Sequence, residues 1–502
     1  MNFIEDVMER YPASKRALLA LGEDGSRRYW HFGELIAMSA GVSGALWARG
    51  VRRGDVVMTL VGNRIEWVLT LLACWRMGAV ALPCNTQLRR HDLELRVRAA
   101  DPKLCVVDER LLGELPDGVP TLSLGEFERI LDEDLPQEPP AEVVDLDPEE
   151  PALIVFTSGT TGEPRGAVHA TRYLLGQRVQ AENWFGAKRS ELVWCTTATG
   201  WSKSARNVFV APWLCGATAV LAEGRFDPEQ RLDVIEREGV NVLCQTPTEY
   251  RLMAKRAKLR PLPSLRRMVS AGEALNPEVM DAWREATGLV ISDGYGQTET
   301  GQLTGNLPGD DPRPGSMGRA LPGMELRVAA EDGTSGELQV RAASCPTFFS
   351  RYLDETPEDV RERLVDGEWW ATGDIVSRDE DGFYWYEGRS DDLILSSGYR
   401  IGPFEVESAL LTHPAVAEAA AVAAPDPERG SVVRAVVVLR SGEPGDEMRR
   451  ELQEHVKRQT APYKYPRIVD FVDELPKTAS GKIKRAALRR DAAGDASGGA
   501  AA

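Results

Sequence analysis

The chain has 502 residues, too many for one compact core, so more than one domain is expected. Charged residues make up 27% and apolar residues 43%, a globular balance that excludes the disordered and collagenous classes. A net charge of −17 argues against nucleic acid or anionic membrane as partners, and it requires any nucleotide site to be built from local basic groups.

The N-terminus, Met1 to Arg10, is acidic and amphipathic. It has neither the apolar core of a signal peptide nor the Arg-rich pattern of a transit peptide, and no later run is apolar enough to span a membrane. Seven scattered cysteines without CxxC spacing read as buried free thiols in a reducing cytoplasm. Short apolar runs at Val56 to Val61, Leu104 to Val107, Ala152 to Phe156 and Val242 to Gln245 read as buried strands. Helical spacing over Glu66 to Met77 and Pro228 to Glu238 alternates with them, which predicts an α/β architecture with largely parallel sheets. Glu126 to Glu150 is acidic and proline-rich and is expected to be a solvated connector. After Asp392, a helix with Pro403 near its start, a strand over Val432 to Leu439 and a helix over Glu447 to Arg458 predict a small α/β unit. The Ala, Gly, Ser and Asp of Asp491 to Ala502 predict a disordered tail.

Four motifs carry chemistry. Thr157-Ser-Gly-Thr-Thr-Gly-Glu-Pro-Arg-Gly166 follows an apolar strand. Its glycines let backbone amides approach a phosphate and Arg165 adds charge, although Pro164 breaks the Walker pattern. In Asp293-Gly-Tyr-Gly-Gln-Thr-Glu-Thr-Gly301, Glu299 stands where a dinucleotide fingerprint needs glycine. Its tyrosine can stack on a base and its glutamate can hold Mg²⁺. Around Asp374, Arg389 and Arg400, a carboxylate suited to ribose hydroxyls stands with two cations suited to phosphate. Finally, Pro476-Lys-Thr-Ala-Ser-Gly-Lys482 could carry Lys482 into a site on a Ser-Gly loop.

In this order, and with Gly78-Ala-Val-Ala-Leu-Pro83 and Gly272-Glu-Ala274, the chain resembles the superfamily of acyl-CoA synthetases, adenylation domains and luciferases from about Tyr29 to Arg490. Ser397-Gly-Tyr-Arg-Ile-Gly-Pro403, Ala424 to Gly430 and Thr460 to Arg467 are most similar to the medium-chain acyl-CoA synthetases. The resemblance implies a large N-terminal domain of packed α/β sheets, residues 1–390, and a small mobile C-terminal α/β domain, residues 391–490, turning about a hinge at Asp391. It implies activation of a carboxylic acid by ATP to acyl-AMP and transfer of the acyl group to CoA, by a monomer or homodimer. Thr157, Ser158, Gly159, Thr160, Thr161, Gly162 and Arg165 would bind the β,γ-phosphates. Gly272, Glu273, Ala274, Asp293, Gly294, Tyr295, Gly296 and Gln297 would surround the nucleotide, with Thr298 at the α-phosphate. Glu299, with Thr157, would hold Mg²⁺. Asp374 would bind ribose, with Arg389 and Arg400 nearby, and Lys482 would reach the carboxylate and α-phosphate. Ser397, Gly398, Tyr399, Arg429, Lys457, Tyr465, Pro466 and Arg467 match CoA-contacting positions. Trp201, Ser202, Lys203, Ala271 and Gly296 would line the acid pocket, where small Gly296 and Ala271 opposite Trp201 predict a slot deeper than acetate needs. Arg165 stands where the family usually has lysine. Delivery of the acyl group to a carrier-protein phosphopantetheine, or a catalytically dead binding protein, are the alternatives.

Overall fold

The computed structural model describes residues 1–132, 142–157, 164–273, 275, 277–330, 334–390, 392–396, 399–426, 429–477 and 483–498. The side chains of Tyr399 and Arg400 are outside that description, as are those of residues 132, 395, 430 and 493–498. The chain groups into two units. One comprises Met1–Thr157, Pro164–Glu325 and Arg341–Trp370; the other contains Leu326–Val340 and the chain from Ala371 onward.

In the first unit, a seven-stranded sheet runs in the order Arg351–Tyr352, Gly166–Ala170, Pro151–Phe156, Val80–Pro83, Val56–Leu60, Leu104–Val107, Thr121–Ser123. A nine-stranded sheet runs Arg319–Ala320, Gly301–Gly305, Ile291–Gln297, Arg267–Ala271, Val242–Gln245, Leu192–Cys195, Thr218–Ala222, Arg16–Leu21, Arg27–His31. The apolar runs read from the sequence are all strands, and their central pairings are parallel. Such strands are buried on both faces, which is why they read as continuous rather than alternating apolar runs. The helix Ile65–Met77 is buried from Glu66 to Met77, the mark of a core helix rather than an amphipathic surface one. It ends at Gly78 with φ +78°, the left-handed cap that glycine adopts without strain. Its Trp67 and Trp75 pack edge-on or tilted against Phe209, which meets Trp213 at 4.8 Å, while Phe3 from the N-terminal turn closes on Trp75 at 5.4 Å.

The second unit holds a four-stranded antiparallel sheet and, farther along the chain, a three-stranded sheet of Val416–Asp426, Gly430–Leu439 and Ile468–Phe471. The helices Pro403–Leu411 and Asp446–Gln459 cover the latter. Two expectations change. The proline-rich connector begins as a helix, Leu124–Asp132, before its proline run. The helix Arg485–Gly498 runs into the segment read as a disordered tail. Its alanines are strong helix formers, and Leu488 and Ala492 bury against Val422, Val436 and Val432.

Candidate active site

In the first unit, the candidate residues gather at the C-terminal ends of parallel strands, where open α/β sheets bind ligands. Ala271 ends one strand, Gly272 and Glu273 follow it, and Asp293 to Gln297 lie on the next. The Thr157 N–H donates to the Arg165 carbonyl at 2.9 Å, and the Arg165 N–H to Thr157 Oγ1 at 3.1 Å. These bonds close the neck of the hydroxyl-rich loop; Ser158, Gly159, Thr160, Thr161 and Gly162 lie outside the described residues. The Arg165 guanidinium lies 3.9 Å over the Tyr352 ring and pairs with Asp354 at 2.8 Å and Glu355 at 2.5 Å. Tyr352 in turn donates its hydroxyl to Glu299 Oε1 at 2.6 Å. Its phenol is held far above the ordinary tyrosine range, first by burial and then by the Glu299 carboxylate. One tyrosine therefore ties the phosphate-loop cation to the expected metal carboxylate. Sequence reasoning missed Tyr352, Asp354 and Glu355; an aromatic two and three residues before two acids, in Arg-Tyr-Leu-Asp-Glu, was the available signal.

Asp293 is 4% exposed, and burial pushes its carboxyl up to about 8 against the opposing pull of the Gly294 N–H at 2.9 Å and of Lys203. Lys203 donates its ammonium to the Ala271 carbonyl. Gly272, with φ +102°, brings its backbone against the same lysine. Glu273 accepts from Thr248 Oγ1 at 2.6 Å. Tyr295 is buried, and Gln297 and Thr298 are half-buried at the turn into Glu299. Trp201, Ser202 and Lys203 are half-buried on a loop held by three side-chain bonds: Asn63 to the Thr197 carbonyl at 3.3 Å, Asn85 to the Thr199 carbonyl at 3.1 Å, and Thr199 Oγ1 to the Val61 carbonyl at 2.8 Å.

The slot argument fails at Gly296. A Cβ there would lie 1.9 Å from the Gly301 carbonyl oxygen, so the glycine exists for the close hairpin between Ile291–Gln297 and Gly301–Gly305 and opens no space for a side chain. Ala271 keeps its small size and its contact with Lys203.

In the second unit, Asp374 is 4% exposed and lies across a strand pair from Arg389, with the ion pair at 3.5 Å. Thr372 Oγ1 accepts from the Asp374 N–H at 3.2 Å, and Glu337 from the Gly373 N–H at 2.9 Å. Tyr465 gathers two CoA candidates. Lys457 lies 4.3 Å over its ring and Arg467 donates to its hydroxyl at 2.8 Å, beside buried Pro466. Lys457 also pairs with Glu454 at 2.5 Å. Arg429 is exposed at a hairpin turn, its N–H on Asp426 at 2.8 Å. Ala274, Asp391, Ser397, Gly398 and Lys482 lie outside the described residues.

The donor set fits Mg²⁺: such sites use one or two carboxylates and leave the rest to phosphate and water, which Glu299 with the Thr157 hydroxyl can supply. Among the described residues, no group of three or more His, Cys, Asp or Glu is placed to hold a metal, and no helix is long and apolar enough to cross a membrane.

Residues 4–353 match the family model described as AMP-binding enzyme, and residues 405–482 the AMP-binding enzyme C-terminal domain. The chain belongs to the adenylate-forming AMP-binding enzymes. It is 40% identical to the uncharacterized acyl-CoA ligase YtcI of Bacillus subtilis (strain 168), over 96% of this chain and 94% of that protein. It is 38% identical to the mitochondrial acyl-coenzyme A synthetase ACSM3 of Mus musculus, over 97% and 90%. The crystal structure of the anthranilate CoA ligase AuaEII in complex with anthranoyl-AMP superposes with a TM-score of 0.86 at 31% identity, covering 99% of this chain and 98% of that one. This adenylate-forming enzyme is an AMP-forming acyl-CoA ligase, near the medium-chain acyl-CoA synthetases, with a carboxylic acid, ATP and CoA as the family's substrates.

Proposed function

We propose that this ligase activates a carboxylic acid larger than acetate, on a medium-length aliphatic or small aromatic skeleton. The observation that supports the activation site is the Arg165–Tyr352–Glu299 linkage, in which one ring meets both the phosphate-loop cation and the carboxylate that would hold the metal. Support for the larger acid comes from small Ala271 beside Lys203 and from the anthranilate ligase among the similar structures.

The nucleophile is the substrate's own carboxylate, so no catalytic Ser–His–Asp set is needed. Attack on the α-phosphate brings one anion onto another, and Mg²⁺ held by Glu299 and Thr157 would neutralise phosphate charge. Thr298 and Arg400 would touch the reacting phosphate. Lys482 would neutralise the charge that builds as carboxylate and phosphate join, by electrostatic stabilisation with positioning. Asp374 would hold the ribose hydroxyls, and the Lys457–Tyr465–Arg467 cluster would receive CoA. Turning about Asp391 would remove Lys482 after adenylation and admit the thiol. Arg165 already has two acidic partners, so a phosphate would have to compete with Asp354 and Glu355 for it.

A pyrophosphate-release assay over a panel of aliphatic and aromatic acids, with and without CoA, tests this reading. The expected result is pyrophosphate release and acyl-CoA with several acids of five or more carbons and poor turnover of acetate. Preference for acetate would overturn the substrate reading, and pyrophosphate without thioester would overturn CoA as acceptor.

A further inference from the structure

One helical turn beyond Lys203, a polar cluster is buried in the first unit. The Asn207 N–H donates to the Lys203 carbonyl at 3.2 Å, and the segment Arg206–Val210 is buried throughout. Arg206 is 3% exposed, Gln180 and Gln302 are 2% exposed, and Asn207 and His169 are fully buried. Interiors hold such groups when they are partnered. Here protein partners run short. Gln180 Nε2 donates to Asn207 Oδ1 at 2.9 Å and Gln302 Nε2 to the Thr304 carbonyl at 3.0 Å. Yet Nε and Nη1 of Arg206, Oε1 of Gln302, Oε1 of Gln180 and Nδ2 of Asn207 have no hydrogen-bond partner among the described residues, and no carboxylate there forms an ion pair with Arg206. His169 adds no charge of its own: burial first, then Arg206 and Arg172, push its imidazole down to about 3. The cluster's one buried charge is thus a guanidinium without an anion.

This cluster borders the proposed acid site. A Cβ on Gly301 would come 3.4 Å from Arg206 Nη1, and the Gly301 backbone is what faces Gly296. Gln302 is the strand partner of Gly296. On the other side, Lys203 of the same segment reaches Ala271. The stretch from Trp201 to Asn207 therefore brings two cations to the site's border, where a plain hydrocarbon tail would call for apolar side chains.

We infer that Arg206 reads a second carboxylate at the far end of the acid, so that the substrate class is dicarboxylic acids. The inference rests on the acyl-CoA ligase reading, with the acid bound beside Lys203 and Ala271, and refines its substrate. A guanidinium presents a planar fork that a carboxylate meets with two parallel hydrogen bonds; the free Nδ2 of Asn207 can donate to the same carboxylate, and the free Oε1 of Gln180 can accept from a water beside it. A monocarboxylic acid of equal length would leave that fork buried and unpaired, which is how sites built for a polar group reject analogues lacking it.

The test compares matched acids: hexanoate with adipate, octanoate with suberate, and benzoate with isophthalate and terephthalate. Pyrophosphate release and acyl-CoA formation are measured for the wild type, Arg206→Leu and Arg206→Lys. The wild type is expected to prefer the diacid of at least one pair by about tenfold or more in kcat/KM, the scale of a charged hydrogen bond. Arg206→Leu should bring that preference to parity or reverse it, with KM for ATP and Tm unchanged, and Arg206→Lys should keep part of it. Preference for the monoacid in every pair overturns the inference. So does an equal loss on both acids with a lowered Tm, which would make Arg206 a packing residue. If Arg206→Leu fails to fold, the Arg206→Lys result decides. If no acid is turned over at all, the ligase reading fails separately. Calorimetric titration of adipate and isophthalate then decides the role of Arg206: binding lost in the variant supports it, and absent or equal binding overturns it.

Discussion

Asp293 shows how much a single buried carboxyl can govern. Burial raises it to about 8, whereas the unfolded chain titrates near 4. Between those values the unfolded state releases a proton that the folded state keeps, so stability falls as pH rises through that window. Asp293→Asn, without nucleotide, should therefore match the wild type near pH 4 and exceed its Tm progressively up to about pH 8. Thermal melts of both proteins across that range check it, and parallel curves would mean that Asp293 is not the group responsible. At this scale the sequence marks candidates by residue type, as for Asp293, Glu299 and Asp374. It misled where geometry decides. Spacing places Gly296 after Tyr295, but only the hairpin register shows that its missing side chain would strike Gly301. Arg206, inside Ala205-Arg-Asn-Val-Phe-Val210, carries no sequence mark of being buried, because a lone arginine in such a run reads as a solvated face.

Among the elements, strands and helices were legible because buried parallel strands leave short apolar runs and the helices between them keep their spacing. Loops were not, since their course depends on distant partners. The turn before Trp201 is the clearest case. Gly200 has φ +81°, and a Cβ there would lie 2.2 Å from the Asn85 N–H nitrogen. Both the left-handed backbone and the contact exclude a side chain. Gly200→Ala should displace Trp201 and Lys203 and lower kcat/KM for the acid by about 10²-fold, the usual cost of a misplacement near 1 Å. The KM for ATP should hold, because the phosphate-loop neck at Thr157 and Arg165 lies on other strands. Steady-state kinetics varying each substrate in turn separate the two; a parallel rise in both KM values would show general disruption instead.

For the whole molecule, the resemblance anticipated a large α/β part and a small C-terminal part, and the alternating motifs marked both. The proposed turn about Asp391 makes two predictions. Lys482→Ala should lose acyl-AMP formation by ~10²-fold or more while thioester formation from supplied acyl-AMP persists. Asp391→Pro fixes one torsion and should cripple one half-reaction far more than the other. Single-turnover assays of each half-reaction read both, and equal losses in the two halves would argue against alternation.

The nine-stranded sheet also sets a timetable for synthesis. Arg16–Leu21 finds its parallel partner only in Thr218–Ala222, where Leu18 lies opposite Ala219. At ~5–20 residues per second, a gap of about 200 residues keeps that strand waiting on the ribosome for roughly 10–40 s. Throughout that interval Leu18, Leu19 and Leu21, all buried in the finished protein, can pair only with the adjacent strand Arg27–His31. The nascent chain thus carries an unfinished apolar edge, a natural client for a ribosome-bound chaperone, and production without one should cost yield through aggregation long before the active site exists.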